Sequence, residues 1–419
     1  ATLDADADAL YWDAHVLAGL IDGALPEPDA ARLLDALYDA LNHVDWRGYP
    51  RLANTDAARA HLRGTAFVPR PDDAPLIHAV GHAHIDLGWL WPLSFSPGKG
   101  VRTAYSQLDF IERFPGYTFL QSQPWLYRAM EQADPAQFAR VVDAIQAGRW
   151  NATGATWVEP DMNLISGESL ARQFLHGMRY FMDRLGVRPR VLWLPDTFGY
   201  NAQIPQIMAL SGVPYFFTSK MSWNTTNKLP HDTFRWRGLD GSEVLAHMAT
   251  THRKGQSATC YEGSLTPYEA ADTWQSYRDQ ALNRHTLVAY GYGDGGGGPD
   301  RDTLERLERF NEGIAGMPAL HPGTAEGFFA ALEAGLTRPL PVWAGELYFE
   351  LHRGCYTSQG RTKWYNRKLE AALHDAEFVL TWAHVTAGLD YPRDALRHAW
   401  DVLLTHQFHD ILPGSSIRE

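Results

Sequence analysis

Cysteine is nearly missing: the 419 residues include only Cys260 and Cys355. Two thiols in so long a chain exclude a disulfide-stapled secreted scaffold and fit a reducing compartment, so a cytoplasmic location is expected. Basic charge is also short. Lys plus Arg number 37 against 49 Asp plus Glu, a net charge of -12. Such a surface repels phosphate backbones, and no nucleic-acid partner is expected. Long apolar runs are absent too. A membrane-spanning helix needs roughly 18 or more consecutive apolar residues, and none occurs, so no membrane partner is expected. The opening ATLDADADAL has neither a basic n-region nor an apolar h-region and does not read as a signal peptide. It lacks an initiator Met and is expected to be the trimmed edge of a longer sequence.

What remains is an ordinary globular composition, 45% hydrophobic and 21% charged, in a chain long enough for two or three domains and a large core. Aromatics and histidine stand out, with 15 Trp, 18 Tyr, 18 Phe and 18 His. Aromatic faces fill cores, and they also stack on the apolar faces of sugar rings.

Residues 1 to 65 show apolar positions at i, i+3 and i+4 and read as a helical segment ending an upstream region. From residue 76 short apolar runs recur, each ending in polar residues. They are LIHAVGHAHID (76–86), YTFLQSQP (117–124), ATWVEPDMN (155–163), VLWLPDTFG (191–199), YFFTSK (215–220), EVLAHMATTH (243–252) and TLVAYGYGDG (286–295). Continuous apolar runs of this length suit strands buried on both faces. Helical periods lie between most of them, at 104–114, 136–148 and 169–186. Alternation of this kind implies βαβ units, and seven runs point to a seven-stranded parallel β/α barrel over 72–338, or to a large open sheet. In either architecture ligands bind at the carboxyl ends of the strands, where the reactive residues fall. Residues 339–419 turn helical again, at 361–386 and 393–411, and read as the start of a bundle.

Four constellations carry chemistry. In HAHIDLGWLWP, His84 and Asp86 are i, i+2 on an extended segment, so both point to one side and can grip one ion; His82 shares that face but would crowd it. In LPDTFGYN, Asp196 follows a strongly apolar run, where a carboxylate is costly unless paired, metal-bound or reactive. GYGDGGGGP matches G-x-G-x-x-G, yet the next helix opens with Asp300 and Asp302, which would oppose a pyrophosphate. The glycines instead let the backbone approach a ligand and let Asp294 project as a candidate acid. In THQFHDILPG, His406 and His409 are i, i+3 on an expected helix, with Asp410 alongside. Taken singly, each has an ordinary structural reading: a satisfied loop, an N-cap, a tight turn, a helix C-terminus. Together, a strand-end His-Asp pair, a strand-end Asp and a distant His make a four-ligand N/O set with room for substrate.

These motifs resemble the catalytic region of glycoside hydrolase family 38 α-mannosidases, and the cytosolic or vacuolar branch and its bacterial relatives more than the Golgi and lysosomal branch. The likeness runs from about residue 72 to 419, with GHAHIDLGWLWP, WLPDTFGYNAQIPQI, GYGDGGGGP, ELYFELHRGCYTSQG and HQFHDILPGSSI in the family's order. The resemblance implies a zinc site of His84, Asp86, Asp196 and His409, and Co²⁺ also accepts such donors. It implies Asp196 as nucleophile and Asp294 as acid/base, although the Golgi branch carries two adjacent aspartates where this chain has Asp294-Gly295. It implies Trp89 as a floor beneath the sugar and Lys220 as the residue orienting the nucleophile. His352, Tyr356, Glu159, Asp161 and Asp410 are further substrate-facing candidates. Family chains continue into C-terminal β domains that this sequence does not include.

The implied reaction is retaining hydrolysis of terminal α-mannosidic bonds in mannose-containing oligosaccharides, by two carboxyl groups about 5–5.5 Å apart. Mannose has an axial 2-hydroxyl, so its 2,3-pair is cis and suited to chelation. From the residues alone, a metal-dependent polysaccharide deacetylase on a related barrel also fits. So does a carbohydrate-binding protein that has lost catalysis, but every catalytic position is filled. A homo-oligomer is compatible with the sequence.

Overall fold

The computed structural model describes residues 4–48, 52–68 and 74–419. The expected barrel start at residue 72 and the first three residues of the helical segment lie outside the described residues. Three helices come first, α1 (Ala5–Ile21), α2 (Asp29–Asn42) and α3 (Thr55–Thr65). Asp13, fully buried on α1, accepts hydrogen bonds from Arg59 and Arg63 of α3 at 3.0 Å each and from Arg309 at 3.1 Å. A buried carboxylate is tolerated when cations surround it in this way, and this one locks the helical segment onto the rest of the fold.

Strands and helices then alternate: β1 (Leu76–His82), α4 (Ser96–Arg113), β2 (Phe119–Gln121), α5 (Pro124–Ala133), α6 (Pro135–Gln146), β3 (Trp150–Ala152), α7 (Gly167–Leu185), β4 (Val191–Trp193), α8 (Ile204–Ser211) and β5 (Tyr215–Thr218). Next come β6 (Thr233–Arg237), β7 (Glu243–Met248), α9 (Pro267–Gln275), β8 (His285–Tyr290), α10 (Arg301–Glu312), β9 (Ala319–Pro322), α11 (Ala325–Ala334) and β10 (Val342–Ala344). The long α12 (Gly360–Ala387) and α13 (Arg393–His406) close the chain. Caps stand where the sequence offers them. Ser166 caps α7, Thr266 and Glu269 form a capping box on α9, and Asp300 caps α10.

The strands form an α/β fold of mainly parallel sheet. One sheet runs β3-β2-β1-β8 with β9 also on β1, and the other runs β10-β6-β7-β5-β4. The seven-stranded closed barrel expected from the sequence is therefore corrected: the described residues form ten strands in two five-stranded sheets, and no ladder closes them into one. One reason is the hairpin-like pair β6/β7, which is antiparallel with Thr233 opposite His247. A second is the run at 155–163, which is not a strand. The strand lies just before it, as β3, and positive φ at Gly154 and Ala155 breaks the extension. The two sheets nevertheless face one interior. Val80, Leu120, Val191, Trp193, Phe217, Leu245 and Leu287, from six different strands, pack together, with Trp193 stacked on Phe217 at 4.2 Å. The helical expectations fall on α4, α6, α7 and α12, but the one at 393–411 overshoots, because α13 stops at His406.

This arrangement sends the segments after β1, β4, β5, β7 and β8 out of one end of the parallel strands. His84, Asp86, Asp196, Lys220 and Asp294 all lie on those segments, within a few residues of a strand end.

Candidate active site

His84 and Asp86 follow β1 and are both buried, with Nε2 of His84 3.0 Å from Oδ1 of Asp86. Their loop is fixed from several sides. Trp91 and Ser96 donate to the backbone carbonyl of Asp86, and its N–H donates to the carbonyl of Asp294 at 2.7 Å. His82 takes no part: it turns away to the backbone carbonyl of Tyr261 and packs edge-on against Trp193. Asp196 arrives from the end of β4, and Lys220, buried after β5, donates its ammonium to Oδ1 of Asp196. Burial alone would raise the Asp196 carboxyl, but the Lys220 ammonium and the nearby imidazoles outweigh it and hold the group well below the usual carboxylate range.

His409 comes from beyond α13. The expectation that His406 and His409 share a helical face is corrected: the helix ends at His406, which is exposed and bonded to its own turn at Val402. The chain then turns, and this carries His409 inward to full burial. Its Nδ1 meets the carbonyl of Glu159 at 2.7 Å, and its Nε2 lies 3.5 Å from Asp86 and 3.6 Å from Asp196. That nitrogen is buried with no hydrogen-bond partner.

His84, Asp86, Asp196 and His409 thus offer four donor atoms within 4.8 Å of one another. Donors about 2.0–2.2 Å from a tetrahedral ion stand roughly 3.3–3.6 Å apart, close to the separations seen here. Charge agrees with geometry. Burial opposes protonation of His409, but Asp196 and Asp86 overcome it and push its pKa up to about 10. His84 is likewise driven well above its ordinary value, against its burial, by Glu159 and Asp86. Without a metal these carboxylates take protons on the histidines as their cations. The residues therefore fit a divalent ion: two carboxylates, two imidazoles and an otherwise orphaned nitrogen.

The remaining candidates divide. Glu159 is buried, takes a hydrogen bond from Ser122 at 2.6 Å, and sets its other oxygen 3.0 Å from Nδ1 of His84, so it backs a candidate ligand rather than facing open space. Asp161 is also buried and accepts from the N–H groups of Asn163 and Leu164, which makes it a loop anchor. Asp410 is buried beside His409, accepts from Ser415, and is pushed up to about 7 by burial. Trp89 is half-buried and edge-on to Trp91, while Trp91 is capped by Lys99 at 3.6 Å. His352 packs on Phe198 at 4.5 Å, and the Tyr356 hydroxyl accepts from Asn163 at 3.3 Å.

Asp294 sits at φ 51 in the glycine loop, half-buried, with Oδ1 accepting from the Tyr261 hydroxyl at 2.9 Å. Burial raises its pKa, and the charges of Asp86 and Asp196 add to that. Part of the glycine loop packs against α4: Gln107 donates to the carbonyls of Gly297 and Pro299, and side chains at Gly296 or Gly298 would collide with Thr103 or Gln107. Tyr261 and Glu262 stand beside Asp294 and Gly293, and sequence reasoning missed both. They lie some thirty residues upstream of Asp294, in a loop with no periodicity or motif to mark them.

The chain belongs to glycosyl hydrolase family 38. Residues 74–346 match the family described as "Glycosyl hydrolases family 38 N-terminal domain", and residues 350–419 match "Alpha mannosidase middle domain". It is 37% identical to Alpha-mannosidase 2C1 of Homo sapiens over 99% of this chain and 39% of that protein. It is 39% identical to Alpha-mannosidase of Saccharomyces cerevisiae, again over 99% of this chain and 39% of the relative. It thus spans about two fifths of the length of these curated relatives. The crystal structure of an alpha-mannosidase from Enterococcus faecalis shares the fold, with a TM-score of 0.70 at 23% identity, over 82% of this chain and 39% of that one. No described helix is long and apolar enough to cross a membrane.

Proposed function

We propose that this chain carries the catalytic centre of a metal-dependent, retaining α-mannosidase acting on terminal mannose of oligosaccharides. The observation that carries the reading is the convergence of His84, Asp86, Asp196 and His409 on one point, with His409 Nε2 buried and unpartnered. Those four would hold the ion, zinc by the balance of nitrogen and oxygen donors. When bound, the ion supplies a Lewis-acidic seat for a pair of cis hydroxyls.

The protein's own groups do the rest. Asp196 is kept ionised by Lys220 and attacks the anomeric carbon, forming a glycosyl ester as the glycosidic C–O bond breaks. Asp294 in its protonated form gives a proton to the leaving oxygen, a role its raised pKa favours; as a carboxylate it then takes a proton from the water that cleaves the ester. The Tyr261 hydroxyl fixes which Asp294 oxygen remains free for that transfer. Trp89, half-buried beside the cluster's loop, offers an apolar face to the sugar ring. Lys220 orients Asp196, and Glu159 orients His84.

The test is to incubate the full-length protein, metal-loaded and metal-stripped, with an aryl α-mannoside and with an acetylated polysaccharide. Metal-dependent release of mannose with retained configuration is expected. Release of acetate without mannose would instead make the chain a deacetylase and overturn the reading.

A further inference from the structure

Glu262 has no role in the scheme above, yet it stands beside the proposed acid. Tyr261 reaches back to Asp294, and the next side chain, Glu262, lies against the backbone of Gly293, so that a Cβ added at Gly293 would run into the Glu262 carboxylate. Two neighbouring loops therefore bring a second carboxyl group to the acid's shoulder, where Gly293 leaves space for it.

The Glu262 carboxylate is under-satisfied. Its one charged partner, Arg253, holds the Glu262 backbone carbonyl at 2.7 Å but stays 3.7 Å from the carboxylate, too far for a hydrogen bond. Its side chain is 19% exposed, and no other protein donor reaches it among the described residues. A mostly enclosed carboxylate with open lone pairs is costly unless something outside the protein donates to it. Burial and the neighbouring Asp294 push it up to about 7.

We infer that Glu262, steadied by Arg253, accepts hydrogen bonds from hydroxyls of the sugar on the leaving-group side of the scissile bond. The inference rests on the assignment of Asp294 as acid. That acid must touch the glycosidic oxygen, so polar groups flanking it border the leaving group. A sugar leaving group offers hydroxyl donors at that place, and an aryl leaving group does not. Glu262 is thus a specificity-determining residue that favours oligosaccharides over simple aryl glycosides.

The experiment compares kcat/KM of the full-length enzyme for α-linked mannobiose and for 4-nitrophenyl α-mannoside, in wild type, Glu262→Ala, Glu262→Gln and Arg253→Ala. Glu262→Ala is expected to lower the disaccharide-to-aryl ratio roughly ten-fold or more, the effect of losing a hydrogen bond to a charged group. Glu262→Gln, which keeps an acceptor oxygen and the shape, should recover part of the ratio, and Arg253→Ala should lower it less than Glu262→Ala. Equal losses on both substrates, or an unchanged ratio in Glu262→Ala, would overturn the inference. Thermal melts identify a variant that fails to fold, in which case Glu262→Gln alone decides by its ratio. A wild type that cleaves neither substrate would instead sink the α-mannosidase reading itself.

Discussion

The hydroxyl of Tyr261 donates to Oδ1 of Asp294 at 2.9 Å, joining two loops that leave different strands of the fold. The bond engages one carboxylate oxygen, so in the proposed scheme the other is the one through which Asp294 would give a proton. Asp294→Ala is expected to lower kcat for a natural oligosaccharide by about 10²–10⁴-fold while bound metal stays at the wild-type level. Tyr261→Phe should cost roughly ten-fold. Steady-state kinetics with metal analysis checks both. Wild-type hydrolysis by Asp294→Ala would remove it as the acid.

Asp196 differs because one oxygen stands 3.6 Å from Nε2 of His409 and the other accepts from Lys220. Asp196→Ala should therefore lose activity by about 10⁴-fold or more and also lower metal content, whereas Lys220→Met should slow turnover with metal retained. Full metal occupancy in Asp196→Ala, measured by elemental analysis, would remove Asp196 from the proposed metal set.

Glu159 stands behind His84, 3.0 Å from Nδ1. A carboxylate there selects the tautomer that leaves Nε2 free for the ion. Glu159→Gln is expected to weaken zinc affinity by about 10–100-fold with the fold intact. Competition against a chelator of known affinity measures this, and an unchanged constant would assign Glu159 to packing alone.

Two histidines outside the cluster are expected to set an acid limit on stability. Burial, with His285 beside it, pulls His78 down to about 3, and burial, with His78 nearby, does the same to His247. The unfolded chain binds these protons near pH 6.5 and the folded chain refuses them until about pH 3. Their contribution is complete above about pH 6.5 and shrinks as pH falls toward 3, at roughly 3 kcal/mol per unit for the pair. Melting temperatures between pH 7.5 and 4.5 should drop more steeply for wild type than for His78→Gln/His247→Gln. Parallel curves would show that other groups control the acid limit.

Legibility in the sequence followed the range of the forces involved. The i, i+2 spacing of His84 and Asp86 on an extended segment already places both donors on one side, and the structure holds them 3.0 Å apart. Asp196 is legible because a carboxylate so close to a fully buried strand needs a partner. Six of the seven apolar runs contain strands, since a run buried on both faces has few other conformations open to it. The short strands β3, β6, β9 and β10 escaped notice: three to five residues, some of them at sheet edges, carry too little apolar pattern to stand out.

By itself, then, the sequence determined the α/β character and the strand-end donors His84, Asp86 and Asp196, because local spacing and apolar runs act over a few residues; the choice of His409 as the fourth came only with the family resemblance. Only the tertiary structure decided that His409 leaves the helical face of His406, that Glu159 backs His84, and that Tyr261 and Glu262 stand beside Asp294. Glu159 meets His84, and Tyr261 meets Asp294 across 33 residues, from separate segments of the chain. Such relations depend on where a helix stops and how two sheets share one interior, and no spacing along the chain records that.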